Sequence, residues 1–168
     1  IPGQASSLWV GTFHAVCARL LRAHHEAIGL RRDFVIYDDG DQRSLIARVM
    51  RALSIDDRVY APKQMAFHIN AAKQEGIGPG EFEARDPVGR VAREVYAAYE
   101  ERVAAASALD FGDLIFRLVQ AMRKDSVLKG QLQARFEHVL VDEFQDVNHV
   151  QFAFVQMLCE VHHNLCVV

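Results

Sequence analysis

Two adjacent carboxylates close an apolar run in the segment Val139-Leu140-Val141-Asp142-Glu143-Phe144-Gln145-Asp146. An apolar strand that ends this way places both groups at the carboxyl edge of a parallel sheet, where open α/β folds bind their ligands. Nucleotide hydrolysis uses such a pair. It needs a carboxylate that holds Mg²⁺, often through water, and a second group that orients or deprotonates the attacking water. Asp142 suits the first task and Glu143 the second, and Gln145 is placed to sense a terminal phosphate. The same two carboxylates would equally serve as a solvated cap for the next helix, so the residue types alone leave both roles open.

The elements that must position this pair are legible from periodicity. His138-Val139-Leu140-Val141 reads as a strand buried on both faces, and a helix from about Asn148 to Glu160 separates it from a last strand, Leu165 to Val168. At the other end, Leu8-Trp9-Val10-Gly11-Thr12 reads as a short strand that feeds a helix from Phe13 to Gly29. Between these parts lies a block of helices. A brief strand at Phe34 to Tyr37 precedes a helix capped by Asp38 or Asp39, and Pro62 opens another that runs to about Glu75. Gly76, Gly78, Pro79 and Gly80 mark a loop, after which helices start near Asp86 and Asp110, and a short amphipathic piece spans Leu128 to Phe136. The fold class expected is α/β and mostly helical, an α/β layer interrupted by a helical insertion, with the two α/β parts meeting in space.

Composition sets the bounds. With 168 residues, 51% hydrophobic and 24% charged, the chain is long enough to bury a core without disulfides or metal. Its net charge of −3 excludes a wholly basic nucleic-acid coat while allowing local basic faces. Cys17, Cys159 and Cys166 form no paired spacing, which favours a reducing cytosol. No apolar run approaches the roughly 20 residues that span a bilayer, and no targeting signal is read. The chain starts without Met and stops on an apolar run, so a piece of a longer protein is expected.

Three ordered motifs carry a family resemblance. Asp142-Glu143-Phe144-Gln145-Asp146-Val147-Asn148 resembles the Walker B motif, motif II, of the superfamily 1A DNA helicases, the UvrD, Rep and PcrA group. Trp9-Val10-Gly11-Thr12-Phe13-His14-Ala15 is similar to that family's motif Ib, and Leu109-Asp110-Phe111-Gly112-Asp113-Leu114-Ile115 to the Asp-Phe segment that precedes motif II. The resemblance implies a fragment of a RecA-like parallel-sheet P-loop NTPase domain. Residues 1–30 would be part of domain 1A, 31–108 the helical insertion called subdomain 1B, and 109–168 the return to domain 1A. It implies an ATP-dependent 3'-to-5' DNA helicase of repair or replication restart, with Mg²⁺ and ATP as cofactors. Partners would be single-stranded DNA, single-strand/duplex junctions and unspecified repair proteins, in a bacterial cytoplasm and on the nucleoid when DNA is bound. Asp142 would ligate the Mg²⁺ of MgATP, Glu143 would be the general base, and Gln145 would couple the γ-phosphate to domain movement. Thr12 and His14 would lie against the DNA backbone, where a hydroxyl and an imidazole donate to phosphate without reading sequence. Thr12 would also suit the cap of the helix that starts at Phe13, and Phe13 suits the core.

No Gly in the chain is followed by Lys, so these residues hold no phosphate loop of the GxxxxGK[ST] type. The fragment alone is therefore expected to lack ATPase activity. Two other readings stay open: a subunit of a recombination helicase-nuclease, and a non-catalytic DNA-binding or protein-interaction module. Weaker signals complete the sequence. His24-His25 and His162-His163 have no further ligand at metal spacing and read as solvated or half-buried, while Cys159 and Cys166 read as small core residues. Arg43, Arg48 and Arg51, with Lys63 and Lys73 on the next helix, form either a phosphate-facing patch or a solvated face.

Overall fold

The computed structural model describes residues 8–168. The strands form two short parallel ladders. Strand β1 (Val35–Tyr37) pairs with β2 (Ala108–Asp110), Val35 opposite Ala108 and Tyr37 opposite Asp110. Strand β3 (Val139–Val141) pairs with β4 (Leu165–Val167), Val139 opposite Leu165. Parallel pairing needs a crossover, and each ladder has a helical one. Helices α3 (Asp39–Ala52), α4 (Pro62–Gln74) and α5 (Pro87–Ala105) join β1 to β2, and α8 (His149–Cys159) joins β3 to β4. The remaining helices are α1 (Phe13–Ala23), the single turn α2 (His25–Ile28), α6 (Phe111–Lys124) and α7 (Ser126–Arg135).

Capping chemistry sets the helix starts. Asp38, Asp110 and Asn148 each accept a backbone N–H inside the first turn while the residue three positions on bonds back, a reciprocal capping box. Asp86 caps α5 through the Gly89 N–H at 2.7 Å, and Pro62 and Pro87 supply the first residues of their helices without losing a hydrogen bond. The Gly76 turn requires positive φ (75°), which glycine adopts without strain. Gln120 Nε2 and the Tyr96 hydroxyl then donate to the Gly76 and Ile77 carbonyls.

Two apolar cores result. One gathers Leu20 and Leu21 of α1, Ile115 and Leu118 of α6, Leu132 of α7, Val141 of β3 and Phe154 of α8. The other gathers Ile46, Met50, Met65, Ile69, Tyr96 and Tyr99 from α3, α4 and α5. Helix α6 packs on α1 and α8 on one side and on α4 on the other, so it is the beam between the two. Helix α1 packs on α6, so the segment before the α3–α5 block meets the segment after it, although the first of these contributes helices and no strand among the described residues.

Several expectations need correction. Leu8 to Thr12 forms no strand: nothing among the described residues pairs with it, and Leu8 and Val10 are exposed. Trp9 is fixed there by side-chain stacking, edge-on to Phe136 at 5.3 Å and under the guanidinium of Arg19 at 3.8 Å. The helix after it ends at Ala23, and only the turn α2 continues to the left-handed cap at Gly29. Strand β3 is not buried on both faces, because alternate side chains point to opposite sides and Leu140 faces outward at 70% exposure. The same bare face leaves Cys166 of β4 exposed, not in the core. Strand β2 adds a pairing partner for β1 that its three residues are too few to announce. Among the described residues no helix is long and apolar enough to cross a membrane.

Candidate functional site

Strand β3 delivers its carboxylates into a strained turn. Glu143 has φ 52° and ψ 45°, a left-handed conformation that costs a residue with a Cβ on the order of 1 kcal/mol or more. The strain is held from two sides. The Phe144 N–H donates to the Val168 carbonyl at 2.9 Å, and the Val168 N–H donates to the Val141 carbonyl at 3.0 Å, so the end of β4 clamps the turn. A 3₁₀ turn (Phe144–Asp146) follows and leads to the Asn148 cap of α8. Asp142 Oδ1 accepts the Glu143 N–H at 3.0 Å, and Gln145 Nε2 donates to Glu143 Oε2. Asp142, Glu143 and Gln145 are thus brought together, all three exposed, and neither Asp142 nor Glu143 forms a salt bridge among the described residues. Such an unneutralised pair of hard oxygen ligands suits a divalent cation.

Thr12 and His14 stand apart from that turn, at the start of α1. Thr12 is the N-cap: its Oγ1 accepts the Ala15 N–H at 3.3 Å, and the residue is exposed. His14 is half-buried against the ring of Phe111, centroids 5.3 Å apart, and burial holds its pKa below the ordinary 6.5. It therefore carries a neutral imidazole at pH 7, a donor without net charge. The two rings form one wall of a cleft of about 270 Å³, which Asp39, Asn70 and Asn148 also line. Phe13 is partly buried against the first core, as its spacing predicted.

The cleft floor holds a charged residue that the sequence placed wrongly. Lys73 does not belong to the solvated face of Arg43, Arg48, Arg51 and Lys63; it is fully buried. Its Nζ lies 2.7 Å from Asp110 Oδ2 and 2.8 Å from both Asp113 Oδ1 and Glu100 Oε1. Arg117 reaches Glu100 and, at 3.4 Å, Asp113. Burial pulls the Lys73 pKa down, but the three carboxylates more than reverse it, so Lys73 stays protonated. Burial likewise pushes Asp110 up, and the Lys73 charge with hydrogen bonds from Lys73 and Tyr99 brings it below the ordinary carboxylate range. Asp113 has fewer donors; burial, with Asp110 and Glu100 beside it, lifts it to about 6 despite Lys73. One signal could have found Lys73: it continues the buried stripe of α4 that runs through Met65, Ala66, Ile69 and Ala72.

The other candidates carry little. The only group of possible metal ligands among the described residues is Glu100, Asp110 and Asp113, whose centre the Lys73 ammonium fills, and neither histidine pair belongs to it. Cys17 and Cys159 are buried, and burial pushes the Cys17 thiol up to about 12.

The chain is similar to known proteins over most of its length. Residues 1–168 match the family described as the UvrD/REP helicase N-terminal domain. Over 156 residues the chain is 38% identical to DNA helicase II of Haemophilus influenzae, covering 92% of the chain and 22% of that protein. It is 35% identical over 169 residues to the ATP-dependent DNA helicase PcrA of Bacillus subtilis, covering 99% and 23%. It is 40% identical over 161 residues to the ATP-dependent DNA helicase UvrD1 of Mycobacterium tuberculosis, covering 92% and 21%. The chain thus spans between a fifth and a quarter of each of these relatives. With the match running through every described element, the chain belongs to the UvrD/REP helicase N-terminal domain family.

Proposed function

We propose that this chain is the motif II portion of an ATP-dependent 3'-to-5' DNA helicase that moves along single-stranded DNA and opens duplexes during repair or replication restart. The observation that carries the reading is the exposed Asp142–Glu143 pair, free of cationic side chains among the described residues and held in a left-handed turn at the end of a parallel strand. Asp142 would hold Mg²⁺, since its free carboxylate oxygen is a hard ligand of the kind that ion takes. Bound there, the ion supplies charge neutralisation for the phosphates of ATP. Glu143 accepts the proton of the attacking water at its carboxylate, and Gln145, already bonded to that carboxylate, senses the γ-phosphate and passes its presence to the neighbouring domain. Thr12 and His14 hold the DNA backbone through neutral donors.

The division into part of a RecA-like domain 1A at residues 1–30 and 109–168, with subdomain 1B at 31–108, draws support from the two apolar cores. The β1–β2 ladder stands at the neck between them. These 168 residues contain no phosphate loop, so the ATPase activity proposed here is that of the full-length protein and not of this segment alone. Glu143→Gln in that protein tests the reading: ATP binding persists while DNA-stimulated turnover falls by at least about 100-fold, the scale of a lost general base. Wild-type turnover at saturating DNA would refute it.

A further inference from the structure

A single carboxylate oxygen gathers all three helices of the insertion. Asp110 Oδ2 accepts from Gln42 Nε2 of α3 at 3.0 Å, from Lys73 Nζ of α4 at 2.7 Å and from the Tyr99 hydroxyl of α5 at 2.8 Å. Its other oxygen, Oδ1, accepts the Asp113 N–H at 2.8 Å and so caps α6. Asp113 returns the bond to the Asp110 N–H at 3.1 Å, and its Oδ1 lies 2.8 Å from the same ammonium. Lys73 therefore grips both members of the capping box. The aliphatic stem is also close. A Cβ built on Gly112 would stand 3.1 Å from Lys73 Cδ, so the first turn of α6 rests directly on this side chain.

That first turn begins with Phe111, and Phe111 is the ring against which His14 packs. We infer that Lys73 is a positioning residue for the DNA face: from inside the insertion it fixes the first turn of α6, and through Phe111 it sets the imidazole of His14. The inference rests on the reading of His14 as a DNA-backbone contact. It assigns to the insertion an influence on DNA affinity that needs no contact between Lys73 and DNA, since Lys73 is wholly buried. It also separates two parameters. Asp142, Glu143 and Gln145 are held by β3, the end of β4 and the turn after β3, whereas the ion-pair partners of Lys73 lie on α5, β2 and α6. Loss of the latch should therefore loosen DNA binding and spare the chemical step.

The test is DNA-stimulated ATPase of the full-length protein with an oligonucleotide series. Lys73→Met raises the half-saturating DNA concentration by about three- to tenfold, up to the net value of the one hydrogen bond His14 makes, while turnover at saturating DNA stays within about twofold of wild type. An unchanged half-saturating concentration in the folded variant overturns the inference, as does a fall in turnover alone. If Lys73→Met does not fold, Tyr99→Phe takes its place, deleting one donor to Asp110. An increase of about threefold in half-saturating DNA, near the net value of one hydrogen bond, then supports the latch, and no increase overturns it. His14→Ala separates the two layers. If it leaves half-saturating DNA unchanged, the reading of His14 fails and the inference with it. If His14→Ala raises that concentration and Lys73→Met does not, only the latch fails.

Discussion

Replacing Lys73 by Met keeps an unbranched stem, one atom shorter, and deletes the charge. Three carboxylates, Glu100, Asp110 and Asp113, then share one buried site with Arg117 as their sole remaining cation among the described residues. Breaking a buried ion pair from one side costs about 3–5 kcal/mol, because the partner is left charged and desolvated. For a chain of this size each kcal/mol lowers the melting temperature by roughly 2–4 °C, so a fall on the order of 10 °C is expected at pH 7.5. The cost depends on pH with a definite sign. In the wild type burial lifts the Asp113 pKa to about 6, above the ordinary carboxyl value of 3.8. A carboxyl raised by folding contributes stability that is fully present below its unfolded pKa and is lost as pH rises through its folded one. Wild-type stability from this group therefore falls as pH rises from about 4 through the raised folded value. Lys73 is what holds Asp113 down, so its removal moves the folded pKa higher and extends that loss toward neutral pH. Urea unfolding of wild type and variant at pH 4.5, 6 and 8 measures both curves. The gap between them should widen with pH. A destabilisation below about 1 kcal/mol, or a gap that does not change with pH, would refute the assignment of Lys73 as the counter-ion of this cluster.

Two further outcomes follow from local geometry. Glu143→Gly releases the left-handed strain at φ 52° and stabilises the chain by up to about 1 kcal/mol in urea unfolding, although it deletes the carboxylate proposed as the base; a loss of stability would mean that the turn is not strained. A thiol-reactive disulfide reagent should modify Cys166 at once and reach Cys17 and Cys159 only on unfolding, because the first is exposed and the other two are buried; rapid release of three equivalents from the folded chain would contradict their packing.

The residues that start and stop helices were legible because capping is local chemistry. Asp38, Asp86, Asp110, Asn148, Pro62 and Gly76 act within three or four positions of themselves, and sequence shows that range in full. The chemical segment Asp142 to Gln145 was legible for the same reason, as strand, turn and helix cap in one short run. What the sequence hid was long-range. Lys73 meets Asp110 across 37 positions and Gln42 meets Asp110 across 68, so no window along the chain contains the pair. A lysine in an amphipathic helix ordinarily lies in water, and the apolar stripe of α4 argued for burial only to a reader prepared to follow it through a charge. Leu8 to Thr12 failed in the opposite direction: its β-prone residues are real, but a strand is defined by a neighbour, and none pairs with it among the described residues.

The position of Asp110 in the chain has a consequence for biosynthesis. All three donors that converge on it, Gln42, Lys73 and Tyr99, leave the ribosome before it does. The nascent α3–α5 bundle can close its apolar contacts early, but an ammonium sealed inside it would have only Glu100 as counter-charge until residues 110 to 113 arrive. At the roughly 5–20 residues per second of translation that interval is on the order of a second. During it the bundle must leave Lys73 open to water and stay loosely packed. The insertion would thus complete its folding only after the beam it docks on has been synthesised, and a nascent chain arrested with Tyr99 outside the ribosome and Asp110 still inside it should carry a bundle that proteases still cut.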